Sequence, residues 1–304
     1  MMRTYENDPV WRKVQEYLPL ENRLNENNMP KEEYVDVNKR FHIHVDHYEA
    51  ESPKAQLLLL HGVGGNGRLL SFLAVPLRKE NIEVICPDLP LYGLSEYEGN
   101  VSYEDWNDIA YKIAMHYQKE HVPFFVSGLS AGGMLAYETA CRLKKVDGLI
   151  ATCFLDQRNS TVRKETSGKS YPLIPMLKIL HQPFGNIKLP MKAVCRMEAI
   201  VNDEELCSIL ESDPLGAGAS VSLEFLYGMM YMKLTAEPEQ FRKCPVLLAQ
   251  PEKDQWTNET VSKIFFDRLS CEKNIVRLKD AGHFPIEPEG LKELVHHLKL
   301  LTNQ

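Results

Sequence analysis

The chain reads as an α/β protein: a mostly parallel eight-stranded sheet with helices on both faces and a helical cap inserted after the sixth strand. Two observations predict this. Short apolar runs bounded by turn residues alternate with helix-length stretches along most of the chain. Such alternation gives a parallel sheet with crossover helices. The pattern is interrupted once, between about Asp156 and Phe241, where Pro172, Pro175, Pro183, Pro190 and Pro214 break up short apolar clusters.

Taken in order, Val10 to Leu18 reads as a short amphipathic helix, and Tyr34 to Tyr48 alternates as a hairpin turning at Asn38-Lys39-Arg40. His42, His44 and His47 fall in its second half. His42 and His44 share a strand face, which raises a metal site, but a solvated face is the expectation because no acidic or cysteine partner stands nearby in sequence. The remaining strands are Leu57–Leu60, Ile82–Cys86, Val122–Val126, Leu149–Leu155, Val246–Gln250 and Ile275–Leu278. Helices fall at Leu69 to Lys79, at Ala131 to Leu143 and at Glu289 to Leu301. Another runs to Tyr117 from the capping box Ser102-x-x-Asp105. Residues 1–155 and 242–304 are expected to form one core, and 156–241 the cap.

Gly128-Leu129-Ser130-Ala131-Gly132 lies between an apolar strand and a helix. That is the context a nucleophile elbow requires: a strained turn holds the serine hydroxyl clear of the backbone. A serine nucleophile needs a base, and the base an orienting acid. His283 stands in Asp280-Ala281-Gly282-His283-Phe284-Pro285, after a short strand. Asp254 stands in Pro251-Glu252-Lys253-Asp254, also just past a strand. The order Ser130, Asp254, His283 is the one this elbow accompanies. Glu252 and Glu287 are the alternative acids.

A tetrahedral intermediate needs two N–H donors. Ala131, after the nucleophile, is one candidate. Val63, in the glycine-rich loop His61-Gly62-Val63-Gly64-Gly65-Asn66-Gly67, is the other. The same loop also matches Gly-x-Gly-x-x-Gly, with Asp88 ending the next strand as a dinucleotide site would have it. Against that reading stand His61 before the first glycine, the hairpin before the loop, and the Ser/Asp/His series, which a dehydrogenase leaves unexplained. Asp88 is then expected to stabilise its own loop.

These motifs, with Asp88 to Ser95 and Gly282-His283-Phe284-Pro285, resemble the α/β-hydrolase superfamily of serine hydrolases over roughly residues 35–300. Within it the chain looks most like the monoacylglycerol lipase, lysophospholipase and carboxylesterase branch. The resemblance implies the α/β-hydrolase fold, a Ser130–His283–Asp254 triad, oxyanion donors at Val63 and Ala131, and a cap over the nucleophile. The elbow departs from the Gly-His-Ser-Met-Gly frequent in that branch, and the acid loop lacks the proline that often follows the aspartate. A serine nucleophile separates the chain from the epoxide-hydrolase and haloalkane-dehalogenase branches, which use aspartate.

The insertion holds six of the chain's eleven methionines. Flexible thioethers suit an adaptable apolar pocket, or simply pack the cap's own helices. Leu226, Met229 and Met230, with Leu129 beside the serine, are the expected substrate-binding residues. An apolar cap favours an acyl or other hydrophobic substrate over a sugar or nucleotide. The expected activity is hydrolysis of carboxylic esters through an acyl-enzyme, without metal or cofactor. A lactonase or amidase with the same triad, and a non-catalytic hydrolase-like binding protein, are the alternatives. The net charge of −7 argues against a nucleic-acid partner. There is no apolar signal core at the N-terminus and no run of transmembrane length, so no stable membrane insertion is expected. Seven scattered cysteines without C-x-x-C spacing read as reduced thiols and a cytoplasmic protein. A homodimer is compatible with all of this.

Overall fold

The computed structural model describes residues 3–302. β1 (Lys31–Asn38) and β2 (Phe41–Tyr48) form the antiparallel hairpin. β3 (Ala55–Leu60), β4 (Ile82–Pro87), β5 (Phe124–Gly128), β6 (Gly148–Ala151), β7 (Val246–Pro251) and β8 (Lys273–Leu278) run parallel to one another. The order across the sheet is β1-β2-β4-β3-β5-β6-β7-β8, with β2 antiparallel to β4 and a two-residue strand, Glu96–Tyr97, added beside β2. β3, β4, β5 and β7 are buried along their whole length. Helices cover both of their faces, which is why they read as unbroken apolar runs.

The helices outside the insertion include α1 (Pro9–Gln15), α2 (Ser71–Lys79), α3 (Tyr103–Tyr117) and α4 (Ala131–Arg142). The Ser102 hydroxyl accepts from the Asp105 amide at 3.1 Å while the Asp105 carboxylate accepts from the Ser102 amide at 2.8 Å, so the capping box at α3 is formed. The helical cap follows the sixth strand. It contains α5 (Ser160–Ser167), α6 (Ile174–Phe184), α7 (Glu204–Glu211) and α8 (Leu223–Met230), with a small ribbon pairing Lys188–Pro190 to Ser220–Ser222. α9 (Glu259–Phe266) and α10 (Pro288–Leu301) complete the core. No helix among the described residues is long and apolar enough to cross a membrane.

The structure corrects two sequence expectations. β6 ends at Ala151 rather than Leu155: Thr152 leaves the ladder, and its hydroxyl accepts from the Ser130 amide at 3.2 Å. The hairpin histidines do not line a solvated face, for His44 and His47 are buried. The acidic partners come from the hairpin's own first strand and from β4 and the loop after it. His44 lies 3.0 Å from Glu32 through Nε2 and 3.0 Å from Asp88 through Nδ1. Arg68, fully buried, forks onto Asp46 at 2.5 and 2.8 Å and sits under the rings of Tyr5 and Trp11. His47 bridges Glu33 at 3.1 Å and Glu83 at 2.8 Å. His42, half-buried, pairs with Asp36 at 2.6 Å. The imidazoles are thus spoken for by protein carboxylates. Burial pushes the His44 imidazole down, but Asp88, Glu32 and Asp46 outweigh it and lift it to about 10. Charges held this deep stay ionised only because they are paired.

Candidate active site

Strand register brings the candidate residues together. Leu60 pairs with Gly128 across β3 and β5, so the glycine-rich loop and the serine turn leave the sheet side by side. Pro251 pairs with Leu278 across β7 and β8, which sets the Asp254 and His283 loops next to each other. All four loops lie beyond the carboxyl ends of parallel strands, where open α/β sheets bind ligands.

Ser130 has φ +55° and ψ −127°, a conformation that a side chain rarely adopts. The turn is held by Leu129 N donating to Leu60 O at 3.0 Å and Gly132 N donating to Leu129 O at 2.8 Å. A Cβ on Gly128 would fall 1.9 Å from the Gly132 carbonyl oxygen, so the strand and α4 meet this closely only with glycine there.

His283 Nε2 lies 2.7 Å from Ser130 Oγ, and His283 Nδ1 lies 2.8 Å from Asp254 Oδ2. Both the imidazole and the carboxylate are buried. The other carboxylate oxygen, Oδ1, accepts from the amides of Trp256 at 2.8 Å and Thr257 at 2.7 Å, and the Thr257 hydroxyl donates to Oδ2 at 2.9 Å. Burial pushes the Asp254 carboxyl up. The charge and hydrogen bond of His283, with the Thr257 bonds, outweigh it and hold the group below its ordinary range. An ionised acid, an imidazole and a hydroxyl in this sequence can move a proton off the serine oxygen. The alternative acids lie elsewhere: Glu252 accepts from Asp280 N at 3.2 Å and Glu287 from Gly282 N at 2.9 Å.

Beside the hydroxyl run the two amides named from sequence. The Gly62 carbonyl is turned toward His61 Nδ1 at 2.7 Å and accepts from Gly65 N at 3.2 Å. Across the trans Gly62–Val63 peptide the Val63 N–H points the opposite way. A Cβ on Gly62 would lie 2.9 Å from Ser130 Cβ and 3.0 Å from Ala131 N, so this loop passes directly over the elbow. Burial lowers the His61 imidazole's basicity, and its Nε2 accepts from Leu89 N at 2.9 Å. The ring is therefore neutral with its proton on Nδ1. Ala131 opens α4, whose positive end adds to the field at the same point.

Two small cavities, about 40 and 30 Å³, meet at Ser130. The first has walls from Leu129, Leu69, Leu70, Ile200 and Phe284. The second is walled by Leu226, Met229 and Met230 of the cap with Met191, Val194 and Leu155. Val63 and Trp256 line both. Sequence reading missed Trp256. Its ring packs on His283 at 4.7 Å and its indole N–H donates to the Thr166 carbonyl at 3.0 Å, tying the base to the cap. Its place two residues after Asp254 was the available signal.

The dinucleotide alternative fails on Asp88. That carboxylate is fully buried and accepts from Gly67 N at 2.6 Å and Leu94 N at 2.7 Å, while the Tyr5 hydroxyl donates to it at 2.8 Å. It has no face left for a ribose.

Residues 51–287 match the family described as Serine aminopeptidase, S33. No curated protein is a significant match to the sequence. Many solved structures share the fold. A monoacylglycerol lipase from Paleococcus ferrophilus is similar at 21% identity, over 86% of this chain and 98% of that one, with a TM-score of 0.70. A soluble variant of monoglyceride lipase from Saccharomyces cerevisiae, in complex with a substrate analog, is 14% identical over 91% and 96%, with a TM-score of 0.69. A carboxyl esterase from Bacillus coagulans is 17% identical over 90% and 98%, with a TM-score of 0.64.

Proposed function

The chain belongs to the Serine aminopeptidase, S33, family of α/β-hydrolases, and on that premise we propose that it hydrolyses carboxylic esters of hydrophobic acyl groups through an acyl-enzyme. The observation that carries this reading is the Ser130–His283–Asp254 relay, at 2.7 and 2.8 Å, opening onto two apolar cavities. His283 takes the Ser130 proton as Oγ attacks the ester carbonyl carbon. Asp254 holds the imidazole in the right tautomer and faces the imidazolium that forms. The Val63 and Ala131 amides receive the oxyanion. As the carbonyl re-forms, the alcohol leaves with the proton from His283. Water, deprotonated by the same imidazole, then attacks the acyl carbon, and the acid is released with Ser130 restored.

Residues 156–241 act in this reading as a cap that sets substrate choice, with Leu129 on the first cavity and Leu226, Met229 and Met230 on the second. Ester cleavage is favoured over aminopeptidase action because no acidic residue lines either cavity among the described residues. A peptide's free α-ammonium would have no counter-charge there. Seven free cysteines support a cytoplasmic location. The test is labelling with a fluorophosphonate, followed by a p-nitrophenyl ester chain-length series beside lactone, monoacylglycerol and amino-acid amide panels. Adduct on Ser130 and preference for acyl esters are expected. A protein that labels nowhere, or turns over amides in preference, overturns the proposal.

A further inference from the structure

The cap carries a surface that the hydrolytic site does not use. Eight large hydrophobic side chains are exposed among the described residues, and five of them fall within residues 173–187: Leu173, Met176, Ile179, Phe184 and Ile187. Ile179 is 74% exposed and Leu173 60%, so these side chains stand clear of the protein rather than at the rim of its core. All five belong to α6, the turn before it and the turn after it. Contiguous exposed apolar side chains mark a place where something docks.

The charge around this patch says what. The whole chain has 42 acidic residues and a net charge of −7, yet residues 166–197 contain neither Asp nor Glu. The same stretch carries Lys169, Lys178, Lys188, Lys192 and Arg196. The four lysines are exposed. They make no ion pair among the described residues, whereas Arg158, just before the stretch, is tied to Asp156 and Glu237. Exposed apolar side chains among unpaired lysines, on an otherwise acidic protein, match an interface that is apolar inside and negatively charged at its surface. A second copy of the chain fits worse, since a two-fold contact would bring the lysines of one patch against those of the other.

We propose that α6 and its flanking turns are a docking face for a bilayer of anionic lipid. The apolar side chains enter the headgroup boundary and the lysines face the lipid charges; the protein lies on the membrane and does not span it. The segments leading into and out of the patch, through Thr166 and Ser167 on one side and Met191, Val194 and Cys195 on the other, line the cavity beside Ser130. Docking there would set that cavity next to a reservoir of apolar molecules. The proposal stands on the surface alone and does not depend on the hydrolytic reading.

The experiment is co-sedimentation of the full chain, carried as Ser130→Ala so that no lipid is turned over. One set of vesicles is phosphatidylcholine and the other an equal mixture of phosphatidylcholine and phosphatidylglycerol. Binding is expected on the mixed vesicles and is expected to weaken as salt rises. Replacing Lys169, Lys188 and Lys192 by Gln should lower affinity by about fivefold for each lysine removed. Met176→Ser with Ile179→Ser should lower it further while leaving the salt dependence in place. These side chains are exposed and line neither cavity, so unchanged turnover of a short acetate ester in a Ser130 background serves as the folding control. No sedimentation with either vesicle, or equal binding to both, overturns the proposal. So does a dimer in gel filtration that the two serine substitutions dissociate.

Discussion

His61 Nε2 accepts the Leu89 amide at 2.9 Å, and this single bond fixes the tautomer of a ring whose other nitrogen holds the Gly62 carbonyl at 2.7 Å. The loop after β4 thereby aims the Val63 amide in the loop after β3. His61→Ala is expected to lower kcat while KM for a short ester moves little. One lost oxyanion donor costs about 10²–10³-fold in kcat. Fluorophosphonate labelling should slow in parallel. Unchanged kcat in a folded His61→Ala protein would mean that the Val63 amide does not serve the oxyanion.

Ser130 holds its strained φ of +55° whether or not chemistry occurs. Ser130→Ala and Ser130→Gly should both lose ester turnover by several orders of magnitude. They should part in stability. Glycine tolerates the turn, so Ser130→Gly should unfold later in denaturant than Ser130→Ala, by about 1–3 kcal/mol. Equal midpoints would show that the elbow stores no backbone strain.

Asp254→Asn is expected to cut kcat by about 10⁴-fold. The amides of Trp256 and Thr257 would keep the new oxygen where Oδ1 now sits, which turns the amide NH₂ toward His283 Nδ1 and forces the imidazole into the wrong tautomer. Glu252→Gln and Glu287→Gln retain an acceptor for the backbone amides they cap and should have mild effects. Glu252→Gln as the more damaging change would move the acid's role to Glu252.

The buried His44 gives the fold a pH dependence of known sign. Its imidazole sits at about 10 in the native protein, against about 6.5 in an unfolded chain. The stabilisation from its carboxylate partners is complete below the lower value. It declines as pH rises between the two, because only the native state still holds the proton, and it is gone above the upper. The Tm should therefore fall steadily from about pH 7 toward pH 10. His44→Gln should melt lower at neutral pH and show a flatter alkaline limb. An alkaline limb that is equally steep in the variant would assign the effect to other groups.

Met229→Ser and Leu226→Ser should shift the optimum of an acyl chain-length series while sparing acetate esters, since both side chains line the cap cavity and neither touches the relay. Each methylene buried there is worth about 0.8 kcal/mol, roughly fourfold in specificity. A profile that is flat, and unchanged by these substitutions, would reduce the cap to a lid.

The sheet and the relay were legible because their signals are local. Buried parallel strands are short apolar runs, and Ser130, Asp254 and His283 each lie a few residues past one. What was not legible depends on partners far away in sequence. Glu32 and Asp46 stand within the hairpin itself, but nothing near His44 announces Asp88 or Arg68, which close the cluster from other loops, so a buried charge cluster reads as a wet face. β6 reads longer than it is because Thr152 to Leu155 are as buried as a strand, yet they serve the elbow and the cavity instead. No helix is expected from sequence at α9, although Asn258 caps it and Val261 and Phe265 lie buried one turn apart, because at 8 residues it shows barely two turns of its period. Among the cap's α-helices only α6 carries prolines, Pro175 and Pro183, while α5, α7 and α8 are 8 residues each, too short for their period to stand out; the exposure of α6 depends on what packs against it rather than on its composition.

The Tyr5 hydroxyl reaches Asp88 across 83 residues of chain, and its ring roofs Arg68. Tyr5 is made well before Asp88, so its hydroxyl is among the later groups of this cluster to find a partner. Until the strand ending at Pro87 has been made and laid beside the hairpin, the Tyr5 hydroxyl lacks its acceptor. Through that interval Arg68 would be left open to water. A segment that waits this long for its partner makes synthesis, and not only the finished fold, sensitive to substitution at Tyr5 and Asp88.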